Sequence, residues 1–294
     1  MFLGSDTISR GMYAALCRGR ERCTEEALRL MSDFVQQHQD TDGGFVDRAG
    51  QPDLYYSMFA LLLAVVLRVP MRRDAVSHYL DGIDPGELDL VHLLCLVLCR
   101  KLLAFLTSLF PCMGCRAIPR SLRKRAEALL ESRDGALFPM QDAASPYSQF
   151  LKLSLAQELA IPFSGQSLDA YRCIDGLFSN LRSDQHSSTN ATSAALALAH
   201  YGFCSLTADA LPNFVALQQG DGAFKAARGA PQTDLLSTAT AFFALSLHRQ
   251  KPPLPVRDFL YSAFTAEGGF SSGLEDSLAD LEYTAYGLLL AGLM

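Results

Sequence analysis

Three stretches far apart in the chain follow the same plan. They read "DTDGGFVDRAGQPDLYYSMFALLL", "LQQGDGAFKAARGAPQTDLLSTATAFFAL" and "AEGGFSSGLEDSLADLEYTAYGLLL". Each runs from a Gly turn through a short loop to an Asp that opens an apolar helix of small residues. Internal repetition on this scale sets the architecture before any single residue is interpreted. With Asp53, Asp234 and Asp280 as anchors, weaker copies align at Asp89, Ala144 and Ser188, in steps of 36, 55, 44, 46 and 46 residues. A step of that size holds a helix, a loop and a second helix.

Each anchor has an amphipathic segment upstream, among them "TEEALRLMSDFVQQHQ", "RKRAEALLES", "SLDAYRCIDGLFSNL" and "VRDFLYSAFT". Segments with one polar face belong on an outer layer, and helices apolar nearly all round belong inside, packed on both sides. Gly43–Gly44, Gly268–Gly269, Gly220 and Gly222 permit the turn between the layers. The anchor Asp stands where an N-cap accepts free helix N–H groups. Periodicity alone leaves an open superhelix and a closed barrel equally available.

Composition narrows the class. With 294 residues, 49% hydrophobic, the chain can bury a large core. A formal charge of −6 argues against nucleic acid as partner, because phosphate binding calls for a basic patch. The basic run "RSLRKRAEALLESR" reads as a solvated helix face. Leu54–Val69 is short for a membrane span, and Leu88–Phe110 is interrupted by Arg100 and Lys101, so both are expected as core helices and no transmembrane segment is expected. The start "MFLGSDTISRGMY" lacks the regions of a signal peptide, which points to a cytoplasmic protein. Cys112 and Cys115 have CxxC spacing, the form of a redox pair or half a zinc site. Cys95 and Cys99, one helical turn apart, read as small buried hydrophobes.

"GGF", a loop of some ten residues and "D-L-x-Y-T" before a small-residue helix resemble the repeat of protein prenyltransferase β subunits and squalene-type cyclases. "LQQGDGAF" is also similar to the Gln-x-x-Gly-x-Trp repeat of those cyclases, with Phe224 in place of Trp. The resemblance implies an all-α fold, a closed α6/α6 toroid of six helical-hairpin repeats around an apolar central cavity. One domain over 1–294 is expected, with a short N-terminal extension over about 1–22.

The resemblance also assigns chemistry, residue by residue. Zinc-dependent relatives bind the metal through an Asp, a Cys two residues on and a His in the final repeat. Asp234 matches the first, but Leu236 and Tyr283 occupy the other two positions, so zinc is not expected. Diphosphate recognition uses basic residues six and three positions before that Asp. Arg228 fills the first, suited to phosphate oxygens by its paired donors, and Pro231 the second. His186 stands near a diphosphate-binding His but two residues out of register. A departing diphosphate would call for magnesium, yet no D-D-x-x-D cluster occurs. The cyclase D-x-D-D acid is likewise missing, with "DTDG" in a Gly turn. Glu275, Asp276, Asp280 and Glu282 make an acidic concentration that reads as solvated loop carboxylates. No "CGEQ" thioester string is present.

Aromatics fall at matched places in three repeats. Tyr56, Tyr147 and Tyr283 lie three positions after the anchor, and Phe59, Phe150 and Tyr286 six after it. These rings are the candidate cavity lining and substrate contacts, able to solvate an isoprenoid chain or face a carbocation. Plain helix packing accounts for such stripes equally well. The expectation is a prenyltransferase- or cyclase-like protein that binds an isoprenoid diphosphate or another apolar ligand, with Arg228 at the head group and Asp234 as the catalytic candidate. The competing expectation is a catalytically silent toroid serving as a lipid-binding or protein-interaction scaffold, with a partner chain.

Overall fold

The computed structural model describes residues 7–107, 118–273 and 275–294. Helix α1 (Ile8–Arg22) leads into α2 (Glu25–Gln37), a two-stranded ribbon of β1 (Phe45–Val46) and β2 (Pro52–Asp53), and α3 (Leu54–Leu67). Then come α4 (Arg73–Asp81), α5 (Leu90–Thr107), α6 (Arg120–Glu131), α7 (Pro146–Leu159) and α8 (Thr189–His200). The chain ends with α9 (Ala210–Val215), α10 (Leu235–Leu247), α11 (Arg257–Ser262) and α12 (Leu281–Leu293). The fold is an all-α toroid.

Its inner layer is α3, α5, α7, α8, α10 and α12. Each packs on the next, and α12 packs back on α3, so the barrel is closed. These helices are buried on several faces, α3 through Leu61, Leu63 and Ala64 and α12 through Leu281, Leu288 and Leu290. The outer helices bury one stripe only: Met31, Phe34 and Val35 on α2, and Leu122, Ala126 and Leu129 on basic α6. α5 is the one helix among the described residues long and apolar enough to cross a membrane, by length and composition alone. Half of that span is buried in the barrel wall.

All six inner helices open on a side-chain cap. Asp53, Asp89, Asp234 and Asp280 accept from the N–H three residues on, at 2.9, 2.9, 2.7 and 2.7 Å. Ser188 does the same to Ala191 at 3.2 Å. In the third repeat the cap is Ser145, accepting from Ser148 at 3.3 Å, and not Ala144. Alanine has no acceptor to offer, so the third anchor moves by one residue.

The Gly turns share one geometry. Phe45, Phe178, Phe224 and Phe270 are buried, and each donates its N–H to the hydroxyl four residues past the following cap. The acceptors are Ser57, Thr192, Thr238 and Thr284, at 2.9, 3.1, 2.9 and 3.1 Å. Gly268 holds φ +94°, and a Cβ there would meet the Leu30 carbonyl of α2 at 2.4 Å. The last repeat is thereby pressed against the first.

The segment "SLDAYRCIDGLFSNL" departs from the helix expected of it. It contains only a 3-10 turn, Asp169–Tyr171, followed by a tight turn at Gly176 with φ +76°. "IDGLF" is itself the Gly turn of the fourth repeat, with Phe178 in the conserved geometry of the other turns. A residue pair that reverses the chain cannot also extend a helix.

α1 lies across the C-terminal ends of the inner helices. Its Ile8 N–H donates to Gln157 Oε1 on α7 at 3.0 Å, and Arg18 and Arg22 donate to the carbonyls of Gly292 and Ala291 at 3.2 and 2.7 Å. Against α12 the backbones nearly touch: a Cβ on Gly292 would stand 1.8 Å from the Ala15 carbonyl. Helix α1 is therefore a plug for one end of the barrel.

Candidate functional site

Counting from the caps shows how the barrel interior is built. Residues two past the cap form a first layer: Tyr55, Val91, Tyr147, Asn190 and Leu236, with Glu282 in the sixth place. Six past the cap come Phe59, Cys95, Leu151, Ala194, Thr240 and Tyr286, and nine past it Leu62, Leu98, Ser154, Ala197, Phe243 and Leu289. Steps of four and three keep a residue on one face of a helix, so the layers stack down a single lumen. Ile8, Ser9 and Met12 of α1 form its floor. The enclosed volume is about 340 Å³. A larger groove of about 1340 Å³ lies outside the barrel between α2, α11 and the Lys251–Pro255 turn, but only the lumen is lined by every repeat.

Four of the aromatic candidates line the lumen: Phe59, Tyr147, Phe150 and Tyr286. Tyr56 and Tyr283 stand outside that wall. Both are three past a true cap, about 100° around the helix from the lumen face. Tyr147 reaches it because its cap is Ser145, which makes it the counterpart of Tyr55. The sequence reading passed over Tyr55, and counting from a residue that can accept a capping hydrogen bond would have found it.

The first and last inner helices meet in a polar seam at the open mouth. Tyr55 Oη donates to Glu282 Oε1 at 2.6 Å, and the Phe59 and Tyr286 rings lie 5.7 Å apart just below. Burial pushes the Glu282 carboxyl above its ordinary value and the nearby Asp280 charge adds to this, while the Tyr55 hydrogen bond works against it. Burial and the Glu282 charge also raise the Tyr286 phenol, and burial raises Tyr147 to about 12. Glu282 is thus part of the inner helix and not a solvated loop carboxylate. Above it, Arg48 donates to Asp280 at 2.6 Å and Asp276 at 2.9 Å, with its guanidinium 5.4 Å from the Tyr283 ring centre.

The remaining candidates lie apart from the lumen. Asp234 caps α10, and burial raises its carboxyl above the usual range against the opposing Ser237 hydrogen bonds. Arg228 is 65% exposed and lies 3.9 Å from Asp175 of the preceding repeat. His186 is exposed. Leu236 lines the lumen, and burial raises the Tyr283 phenol to about 12. One carboxylate, a leucine and a neutral phenol do not make a zinc donor set. Among the described residues, no three His, Cys, Asp or Glu side chains converge as a metal site. Cys95 and Cys99 are free, buried thiols, while Cys112 and Cys115 lie outside the described residues.

The family model for the prenyltransferase alpha-alpha toroid domain matches residues 19–106 and 149–291. The chain belongs to that family. The match takes in all six inner helices apart from the first turn of α7 and the last residues of α5 and α12, and leaves out the stretch around α6. No curated protein matches the chain. The lumen is walled mostly by aliphatic and aromatic side chains, with Asn180, Asn190, Ser193 and Thr240 as polar members of the wall.

Proposed function

We propose that this toroid binds an isoprenoid, or an apolar molecule of similar shape, in its central lumen. The observation that carries this is the stack of matched layers, closed below by α1 and open at the capped ends. A volume of about 340 Å³ falls at the lower end of the range of small-molecule cavities, roughly 300–1,000 Å³. Phe59, Phe150 and Phe243 supply flat apolar walls, and Tyr147 and Tyr286 add rings whose faces favour positive charge. Asp234 serves this site by fixing the start of α10, and Tyr56, Tyr283 and Arg228 stand beyond the ligand's hydrocarbon.

The replacement of the Cys and His donors favours binding, or chemistry without zinc, over zinc-dependent thiol transfer. A scaffold that meets a protein partner is the competing function, and the open groove beside α11 is a concave surface for it. The free cysteines accord with a cytoplasmic setting.

Native mass spectrometry of the purified protein, with and without farnesyl and geranylgeranyl compounds, tests the proposal. A retained or added prenyl adduct that is lost in Ala194→Phe, which fills the lumen, supports it. A protein that ignores every prenyl probe points to the scaffold function.

A further inference from the structure

The polar groups of the lumen wall form a defined set. On α8, Asn190 and Ser193 sit three residues apart on the lumen face. Asn190 Oδ1 lies 3.1 Å from Thr240 Oγ1, a hydroxyl that also reaches the Leu236 carbonyl at 2.8 Å, and with two N–H groups the Asn190 amide keeps a donor for another acceptor. Ser193 is 7% exposed and lines the lumen, yet its buried Oγ has no hydrogen-bond partner. A buried hydroxyl without a partner is costly, and such atoms mark places where a ligand or water completes the bonding. Asn180 adds an amide beside them, its Oδ1 already taken by the Tyr147 N–H at 3.0 Å.

The charges around the mouth have the wrong sign for a diphosphate. The Glu282 carboxyl is hydrogen-bonded to Tyr55 of the lumen wall and feels the Asp280 charge beside it. Arg48 is already engaged by two carboxylates, and Arg228 stands out in solvent beside Asp175. Among the described residues no free cation stands at this mouth to replace the hydration a multiply charged anion would lose, and the anion would face Glu282. An uncharged oxygen suffers neither penalty and needs only hydrogen-bond partners.

We infer that the lumen takes an uncharged oxygenated isoprenoid, an alcohol or carbonyl compound, with its oxygen at Ser193 and Asn190 and its hydrocarbon against Phe59, Phe150 and Phe243. This rests on the proposed lumen function and narrows its ligand class. The hydroxyl of such a ligand donates to or accepts from Ser193 Oγ and accepts from the Asn190 amide. Thr240 holds that amide in place.

The test compares affinities of farnesol, farnesyl diphosphate and the hydrocarbon farnesene by calorimetry or competition, in the wild type, Ser193→Ala and Asn190→Ala. Farnesol is expected to bind at least tenfold more tightly than the diphosphate. Ser193→Ala should weaken farnesol by about three- to tenfold, the range for one neutral hydrogen bond, and leave farnesene unchanged. Diphosphate binding as tight as the alcohol overturns the inference, as does an equal effect of Ser193→Ala on alcohol and hydrocarbon. Both results leave the lumen function standing. Failure of all three probes to bind the folded wild type removes the lumen function itself.

Discussion

Arg48 Nε lies 2.6 Å from Asp280 Oδ2, joining residues 232 positions apart where the barrel closes. Arg48 comes from the turn between β1 and β2 of the first repeat, and Asp280 is the cap of the last inner helix. The same Asp therefore caps α12 through Oδ1 and holds the seam through Oδ2. Arg48→Ala leaves a nearly buried carboxylate without its counter-charge. It should cost about 1–3 kcal/mol, reduced from a fully buried pair because the guanidinium is partly in water. Urea denaturation of the variant checks this, and Arg48→Lys is expected to recover only part of the loss.

Gly292 admits the backbone of α1 to within contact of α12. Gly292→Ala should push the helices apart and destabilise the protein by about 1–3 kcal/mol, as overpacking does. Hydrogen exchange should accelerate first in Ile8–Arg22, because that helix is held at the barrel end largely by this contact. Equal protection of α1 in variant and wild type would remove its role as the plug.

Glu282 gives a pH dependence of definite sign. Its folded carboxyl is raised above the ordinary 4.5 by burial, so its favourable contribution is complete below that value. The contribution is lost as pH rises through the elevated folded value. Glu282→Gln keeps an acceptor for Tyr55 and removes the titration. The stability of the variant relative to wild type should therefore increase between about pH 4 and pH 8, read from urea midpoints at each.

His92 and Asp89 form a second titrating pair, with Nδ1 and Oδ1 at 2.8 Å. The Asp89 hydrogen bond raises the imidazole above 6.5, and the His92 contacts lower the Asp89 carboxyl against its own burial. The His92 contribution to stability is full below 6.5 and fades as pH rises through its folded value. Both side chains are well exposed, so the energetic effect is small. An NMR titration should show the His92 midpoint falling in Asp89→Asn.

Lys101 meets Glu158 inside the wall between α5 and α7, with side chains 13% and 3% exposed. Lys101→Met alone should cost about 3–5 kcal/mol by stranding a buried carboxylate. The double change with Glu158→Leu should recover most of that, since an apolar pair of similar volume packs without the desolvation penalty. Thermal melts of the two variants decide it.

The stacked helical hairpins were legible in the sequence because their determinants are local, whereas closure into a toroid was an expectation from the family resemblance. A Gly turn, a capping Asp and a small-residue helix each specify their own conformation, and their recurrence implies that the units stack. The fourth turn, "IDGLF", was equally local but was merged with the residues around it into one helix. Which aromatic rings face inward was harder to read. A one-residue shift of the cap, from Ala144 to Ser145, turns a side chain about 100° around the helix and exchanges Tyr56 for Tyr55 as the partner of Tyr147.

The sequence by itself determined the all-α class and the inner helices, because each follows from neighbours along the chain. Only the tertiary structure decided that α1 seals one end, that Glu282 joins Tyr55 across the seam and that the Ser193 hydroxyl is buried in the lumen wall without a partner. Those contacts join residues separated by up to the length of the chain. Their burial and hydrogen bonding exist only once the barrel has closed.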